Sequence, residues 1–382
     1  MRPSIATVLG AFAVALSLCA CGGDSTTLIG GPAPKAPVTT VPTASTLVQL
    51  PQLIPGASFA YDIGAVDPGA HRYYLADRTN KSLDILNTVD NSLTFVGGFT
   101  GQMGTNNDAS GPDGVVIIPK TSIVAVGDVN VVKFVDVNAH SVVATTVTGT
   151  AGHRTDEGCY DPDDNLLMMA NPGDATPYVT LLSGTTYKAL SVFAFAGSSG
   201  LEACIYDPGT KNFLINNDGN TANPLGEIDV ITAASAVAGK PAISAVYPLP
   251  NCSPTGMILA PPEKLLVACD PPPGTKITSL VFNAANGQLL ATIPLGGADQ
   301  IDFDPLTNRF YEASRHNTAS GIAGPPYTPV LGVIDANSFA VVGTTPTGSN
   351  AHSVAVDPST GRIYVPIPPT ATAPGGIQIF NP

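Results

Sequence analysis

The residues best suited to chemistry in this chain sit at two fixed offsets from a recurring turn. The turns begin at Asp67, Ile118, Asp161, Asp207, Ala260, Asp304 and Asp357, each followed by proline. Five residues before them stand Asp62, Asp113, Asp156, Glu202, Thr255, Asp299 and His352. Ten residues after them stand Asp77, Asp128, Asn171, Asn217, Asp270, Ser314 and Ile367. Ten of these fourteen positions are Asp, Glu or Asn, in a chain with only 12% charged residues. Crowded carboxylates disfavour one another's ionised form unless a positive charge compensates. Oxygen donors of this kind suit a hard divalent cation such as Ca2+. Glu202, Asn171, Asn217 and Asp270, from three consecutive repeats, form the first candidate metal set. The competing account is structural: Asp and Asn cap strand ends, and a water-filled channel mouth tolerates charge without a metal.

A cation held there would polarise a carbonyl or activate water, and would need an acid–base group within hydrogen-bond reach. His352 lies on the expected rim, and His316 sits just beyond a strand of the sixth repeat. Glu157 clusters with His153 and Arg154 at the start of the third. These are the catalytic candidates, although each histidine alone also reads as an ordinary loop residue.

The elements that must position these side chains repeat seven times, at intervals of 43 to 53 residues. That is the range of a four-stranded propeller blade. A short β run precedes each turn, as in Ile63 to Val66, and a second follows, as in Arg72 to Ala76 or Arg362 to Val365. Third strands such as Val132 to Asp136 and Val333 to Asp335 come next, then fourth strands such as Val142 to Val147. The nearest approach to helical period is Ile231 to Val237. The last repeat ends after three strands at Gln378 to Phe380, and Thr46 to Leu50 supplies the missing fourth. Closing the ring in this way removes exposed sheet edges. The expected fold is therefore all-β, a seven-bladed propeller of four-stranded antiparallel blades closed by an N-terminal strand. In such a blade the loop into the first strand and the loop out of the second share one face. Both acidic offsets are accordingly expected on one rim of the central channel, with Asp62, Asp113, Asp156, Glu202, Asp299, His352, Asp77 and Asp128 as its principal residues.

The repeat resembles the bacterial YVTN/NHL-like propellers, whose blades run as apolar strand, Asp-Pro turn, Tyr-Val strand and Val-Ile-Asp strand. The resemblance spans about residues 46 to 382 and implies architecture; it leaves function open, because this fold hosts many activities. The candidate set of one Glu, two Asn and one Asp is similar to the calcium ligands of SMP-30/gluconolactonase propellers, which are six-bladed. That likeness implies a lactonase or related hydrolase as one reading.

Ahead of the repeats, Arg2 precedes an apolar run from Ile5 to Leu18, and Leu18-Cys19-Ala20-Cys21 follows. This resembles the lipobox of bacterial lipoproteins, which implies a leader of residues 1–21 with Cys21 acylated; a plain secretory signal is the alternative. Acyl chains hold a protein to a membrane at about 0.8 kcal/mol per buried CH₂. Gly22 does not match the Asp sorting signal of that family. Residues 22–44, rich in Gly, Pro, Thr and Ala, read as a flexible tether, and 45–382 as the propeller. Cys159, Cys204, Cys252 and Cys269 remain after the leader. In an exported chain they imply disulfides. Cys252 and Cys269 flank one hairpin, whereas Cys159 and Cys204 read equally as a pair or as buried thiols.

Composition narrows the partners. A net charge of −13 repels phosphate backbones, which argues against nucleic acid. No Walker loop, Gly-x-Ser-x-Gly elbow, HExxH pair or CxxCH haem site is present, and no Trp is available to stack a pyrroloquinoline quinone. Haem, quinone and nucleotide cofactors are thus not expected, and a divalent cation is the one cofactor in play. Two functions follow: an exported, lipid-anchored, monomeric propeller of the cell envelope that binds a small molecule or envelope protein at its acidic rim, or a metal-dependent hydrolase or lyase of small carbonyl compounds.

Overall fold

The computed structural model describes residues 40–382. The leader, Cys21 and the tether as far as residue 39 lie outside the described residues. Seven four-stranded antiparallel sheets form the fold. The first strand of each blade packs against the first strands of both neighbours, and the ring closes between Tyr61–Asp67 and Ala355–Val356.

Strand composition follows from position in the blade. Second and third strands lie between neighbouring blades and are covered on both faces, so Arg72–Asp77, Ser82–Asn87 and Leu166–Asn171 are buried almost throughout. Outer strands meet water on one face. In Ser141–Val147 exposure alternates residue by residue, the period-two signature of a half-buried strand. Seven clusters of buried side chains, each shared by adjoining blades, make up the core.

The Asp-Pro turns work as their residue types dictate. Asp67 Oδ1 accepts from the Gly69 and Ala70 amides at 2.9 and 3.0 Å. Asp207, Asp304 and Asp357 each accept from the amide two residues on, at 2.9, 2.9 and 2.8 Å. The residue four after the aspartate is left-handed in all five such turns: His71, Asn165, Lys211, Asn308 and Gly361, with φ between 54° and 73°.

Closure uses the N-terminal strand. Thr43–Gln49 pairs antiparallel with Gly376–Asn381, setting Val48 opposite Ile377. It begins ahead of the expected Thr46, inside the segment read as tether, while Leu50 lies just past it in the core. Spacing between turns varies because of insertions. A hairpin, Gly101–Met103 with Asn106–Gly111, follows the first blade, and one helical turn, Ala233–Val237, follows a Thr232 cap. Disulfides join Cys252 to Cys269 within the fifth blade and Cys159 to Cys204 across blades three and four; the second resolves the alternative left open by sequence.

Candidate functional site at the channel mouth

The first strands carry a bulge where they approach the channel mouth. Tyr61 pairs with Asp77 and Gly64 with Leu75, so Asp62 and Ile63 together oppose the single residue Ala76. The same slip sets Glu202 and Ala203 against Asn216, and Thr255 and Gly256 against Ala268. A bulge re-aims a side chain that regular pairing would send elsewhere. Here it turns Asp62, Glu202 and Thr255, each five residues before its turn, into the channel. Asp62, Asp156, Glu202, Thr255, Asp299 and His352 line one cavity of about 230 Å³, joined by Glu157.

Three arginines compensate the acidic ring. Arg78, 5% exposed, pairs with Asp62 and with the fully buried Asp113, which lies behind the cavity wall. Arg154 pairs with Asp156 at 2.8 Å, Asp62 at 3.6 Å and Asp108 of the inserted hairpin at 3.5 Å. Arg315 pairs with Asp299 at 2.6 Å. Burial pushes the Asp62 carboxyl up, but Arg78 and Arg154 outweigh it and hold the group below the usual range. Asp156 stays at about 6, because burial exceeds the pull of Arg154.

Glu157 and Glu202 make no salt bridge among the described residues. Burial pushes Glu157 well above the usual range, with Asp156 and Asp299 adding to it, and Gln300 Nε2 donates to its Oε1 at 2.5 Å. Burial likewise raises Glu202, reinforced by Asp218 and Asp156. His352 stacks on Tyr61 with ring centres 4.2 Å apart, and its Nδ1 meets the Asn350 carbonyl at 2.7 Å. Burial lowers its pKa, so the ring is neutral near pH 7.

The second offset does not share this rim. Asp77 is buried and accepts from the Asn80 amide and side chain at 2.8 and 2.6 Å. Asp128 meets Lys133 at 2.7 Å. Asn171 bonds to Thr155 and Thr180 at 3.1 Å each, while Asn217 bonds to Ser198 and Asp229 at 2.8 and 2.9 Å. Asp270 meets His316 at 2.7 Å in a separate cavity. Glu202, Asn171, Asn217 and Asp270 are therefore not brought together as a ligand set, because Asn171 and Asn217 spend their polar atoms on partners in or beside their own blades and Asp270 lines a different cavity from Glu202. The described residues instead converge three carboxylates, Asp62, Asp113 and Asp156, with oxygens within 4.8 Å of one another. Arg78 and Arg154 already stand on these groups, so the donor set does not fit a divalent cation.

Sequence reasoning passed over Arg78 and Arg315. Both follow the second offset by one residue. Successive strand residues point to opposite faces. The position one further on therefore faces the channel, and its two arginines were a legible signal.

No protein-family model matches this sequence, and no curated protein sequence does. Among solved structures the chain is similar to hydrazine synthase from Kuenenia stuttgartiensis, with 13% identity, TM-score 0.66, and coverage of 85% of this chain and 95% of that one. It is also similar to a chain of the mitotic checkpoint complex, at 12% identity, TM-score 0.61, and coverage of 98% and 100%. At such identities the likeness reports the fold alone, and that fold is a seven-bladed β-propeller.

Proposed function

We propose that this is an exported, lipid-anchored propeller that binds a small cationic organic molecule in the channel mouth. The observation that carries the reading is the pair Glu157 and Glu202, two carboxyl groups on the cavity wall without an ionic partner. Five acidic side chains line the cavity against three arginines, Arg78, Arg154 and Arg315. An ammonium group would supply the charge these glutamates lack and would draw both toward ionisation. The leader sequence and two disulfides support export, and the blade pattern supports kinship with YVTN/NHL-like propellers. A divalent-metal hydrolase is the weaker reading, because a metal at Asp62, Asp113 and Asp156 would have to expel two guanidiniums.

Titration calorimetry with methylammonium and choline, against neutral isosteres of equal size, tests this. The cations bind more tightly, and Glu202→Gln weakens them selectively. Binding strengthens as pH rises, by up to about tenfold per pH unit for each proton released, because ionised glutamate is the form the cation prefers. Equal binding of cations and neutral isosteres, or an unchanged affinity in Glu202→Gln, overturns the proposal.

A further inference from the structure

A second cavity of about 230 Å³ opens beside the channel mouth, between blades five and six. Ser253, Asp270 and His316 all line it. Asp270 Oδ2 lies 2.7 Å from His316 Nδ1. A carboxylate there accepts a hydrogen bond from Nδ1–H, which fixes the tautomer and leaves Nε2 as the nitrogen free to take up a proton. The pair comes from residues 46 apart in sequence, so neither is a local turn cap of the other.

The surroundings fix these groups. The Cys252–Cys269 disulfide immediately precedes both Ser253 and Asp270, and the Asp270 amide donates to the Ser253 carbonyl at 3.0 Å. Ser253 is held in a left-handed conformation, φ 50°, which is costly for a non-glycine residue. Its Oγ makes no hydrogen bond to another described residue. The His316 amide donates to the Gly297 carbonyl at 2.8 Å, and the ring packs against Tyr327 with centres 4.4 Å apart. Pro271, Pro272, Pro273 and Tyr327 give the cavity apolar walls. The Gly324 amide, on the same wall, donates to no described acceptor.

We propose that this cavity is an acyl-transfer site in which Ser253 is the nucleophile, His316 the general base and Asp270 the positioning residue. The chemical class of substrate is a small ester with an apolar or single-ring acyl or alcohol group, matching the proline and tyrosine walls. Ser253 Oγ bonds to the ester carbonyl carbon as its proton passes to His316 Nε2. The carbon–alkoxide bond then breaks, and His316 returns that proton to the departing alcohol. Water repeats the two steps to release the acid and restore Ser253. No Ser253–His316 hydrogen bond forms in the free protein, and such bonds commonly tighten only around substrate.

A fluorophosphonate probe tests this on the purified full-length chain. Its phosphorus bonds to a reactive serine oxygen as fluoride leaves, and peptide mass spectrometry locates the adduct. The adduct is expected on Ser253, with phenyl acetate hydrolysis lost in Ser253→Ala and in Ser253→Gly, whose glycine suits the left-handed backbone. His316→Ala slows labelling by about 100-fold or more. Asp270→Asn also slows it, and Asp270→Glu recovers part of the loss, which a purely structural role would not produce. Absence of an adduct on Ser253, or a labelling rate indifferent to His316→Ala, overturns the proposal. Neither outcome bears on cation binding at Glu202, which is measured separately.

Discussion

The two ends of the blades use the same residue type in opposite ways. On the Asp-Pro face, carboxylates accept from neighbouring backbone amides. Asp335 takes the Asn337 and Ser338 amides at 3.0 and 2.8 Å and the Ser338 hydroxyl at 2.9 Å. Partial burial pushes Asp335 up, but these donors outweigh it and hold the group below the usual range. At the channel mouth, carboxyls face one another across a cavity, and burial pushes Glu157, Glu202 and Asp156 up. Local donors thus make a carboxylate a structural cap, while desolvation with few donors leaves it poised for a ligand. Acid should therefore favour the raised mouth carboxyls Glu157, Glu202 and Asp156 and weaken a turn such as that of Asp335.

The largest break in this contrast comes from removing its main counter-ion. Arg78→Met removes the one ion pair of the buried Asp113 and leaves Asp62 to Arg154 alone, and breaking a buried pair by removing one partner costs about 3–5 kcal/mol. Urea unfolding at pH 7.5 measures the loss, which should shrink at pH 5 as carboxylates gain protons. A loss below about 1 kcal/mol would mean that the arginine is not what permits the acidic ring.

A second measurement sharpens the sign. Glu312 is fully buried, and burial raises it to about 7 against the opposing bond from the Ser314 hydroxyl at 3.4 Å. The folded state holds this proton when the unfolded chain has lost it. Its contribution is therefore fully present below the unfolded value near 4.5 and is lost as pH rises toward 7. Glu312→Gln should remove that slope, leaving the protein more stable than the parent at pH 8 by on the order of 3 kcal/mol and nearly unchanged at pH 4. Parallel stability–pH curves for parent and variant would refute the assignment.

Legibility differed between fold and site for a physical reason. Asp-Pro spacing, apolar second strands and the orphan third strand at Gln378 to Phe380 are local signals, and they specified blade number and closure. The acidic offset before the turns was equally legible, and the cavity wall carries six of its seven residues. The offset after the turns misled, because a bulge in the first strand breaks the symmetry between the two strands. Asp77 and Asn171 were then one residue out of phase with the channel, and a single step along a strand reverses its face. Pairings such as His316 with Asp270 or Arg78 with Asp113 depend on how blades abut, which no local pattern encodes.

The smallest expected effect tests the other half of the contrast. Asp335→Ala removes an acceptor from three donors at a partly exposed turn, and caps of this kind are worth about 1 kcal/mol. Because the folded-state pKa of Asp335 is depressed, its contribution is present at neutral pH and lost as pH falls through that depressed value. Asp335→Asn keeps one acceptor oxygen and should cost less than Asp335→Ala. Thermal unfolding is therefore expected to separate the variants from the parent more widely at pH 7 than at pH 3, opposite in sense to Glu312→Gln. If Asp335→Ala instead cost the same at both, its carboxylate would not be acting through charge-assisted bonds, and the two faces would differ in burial alone.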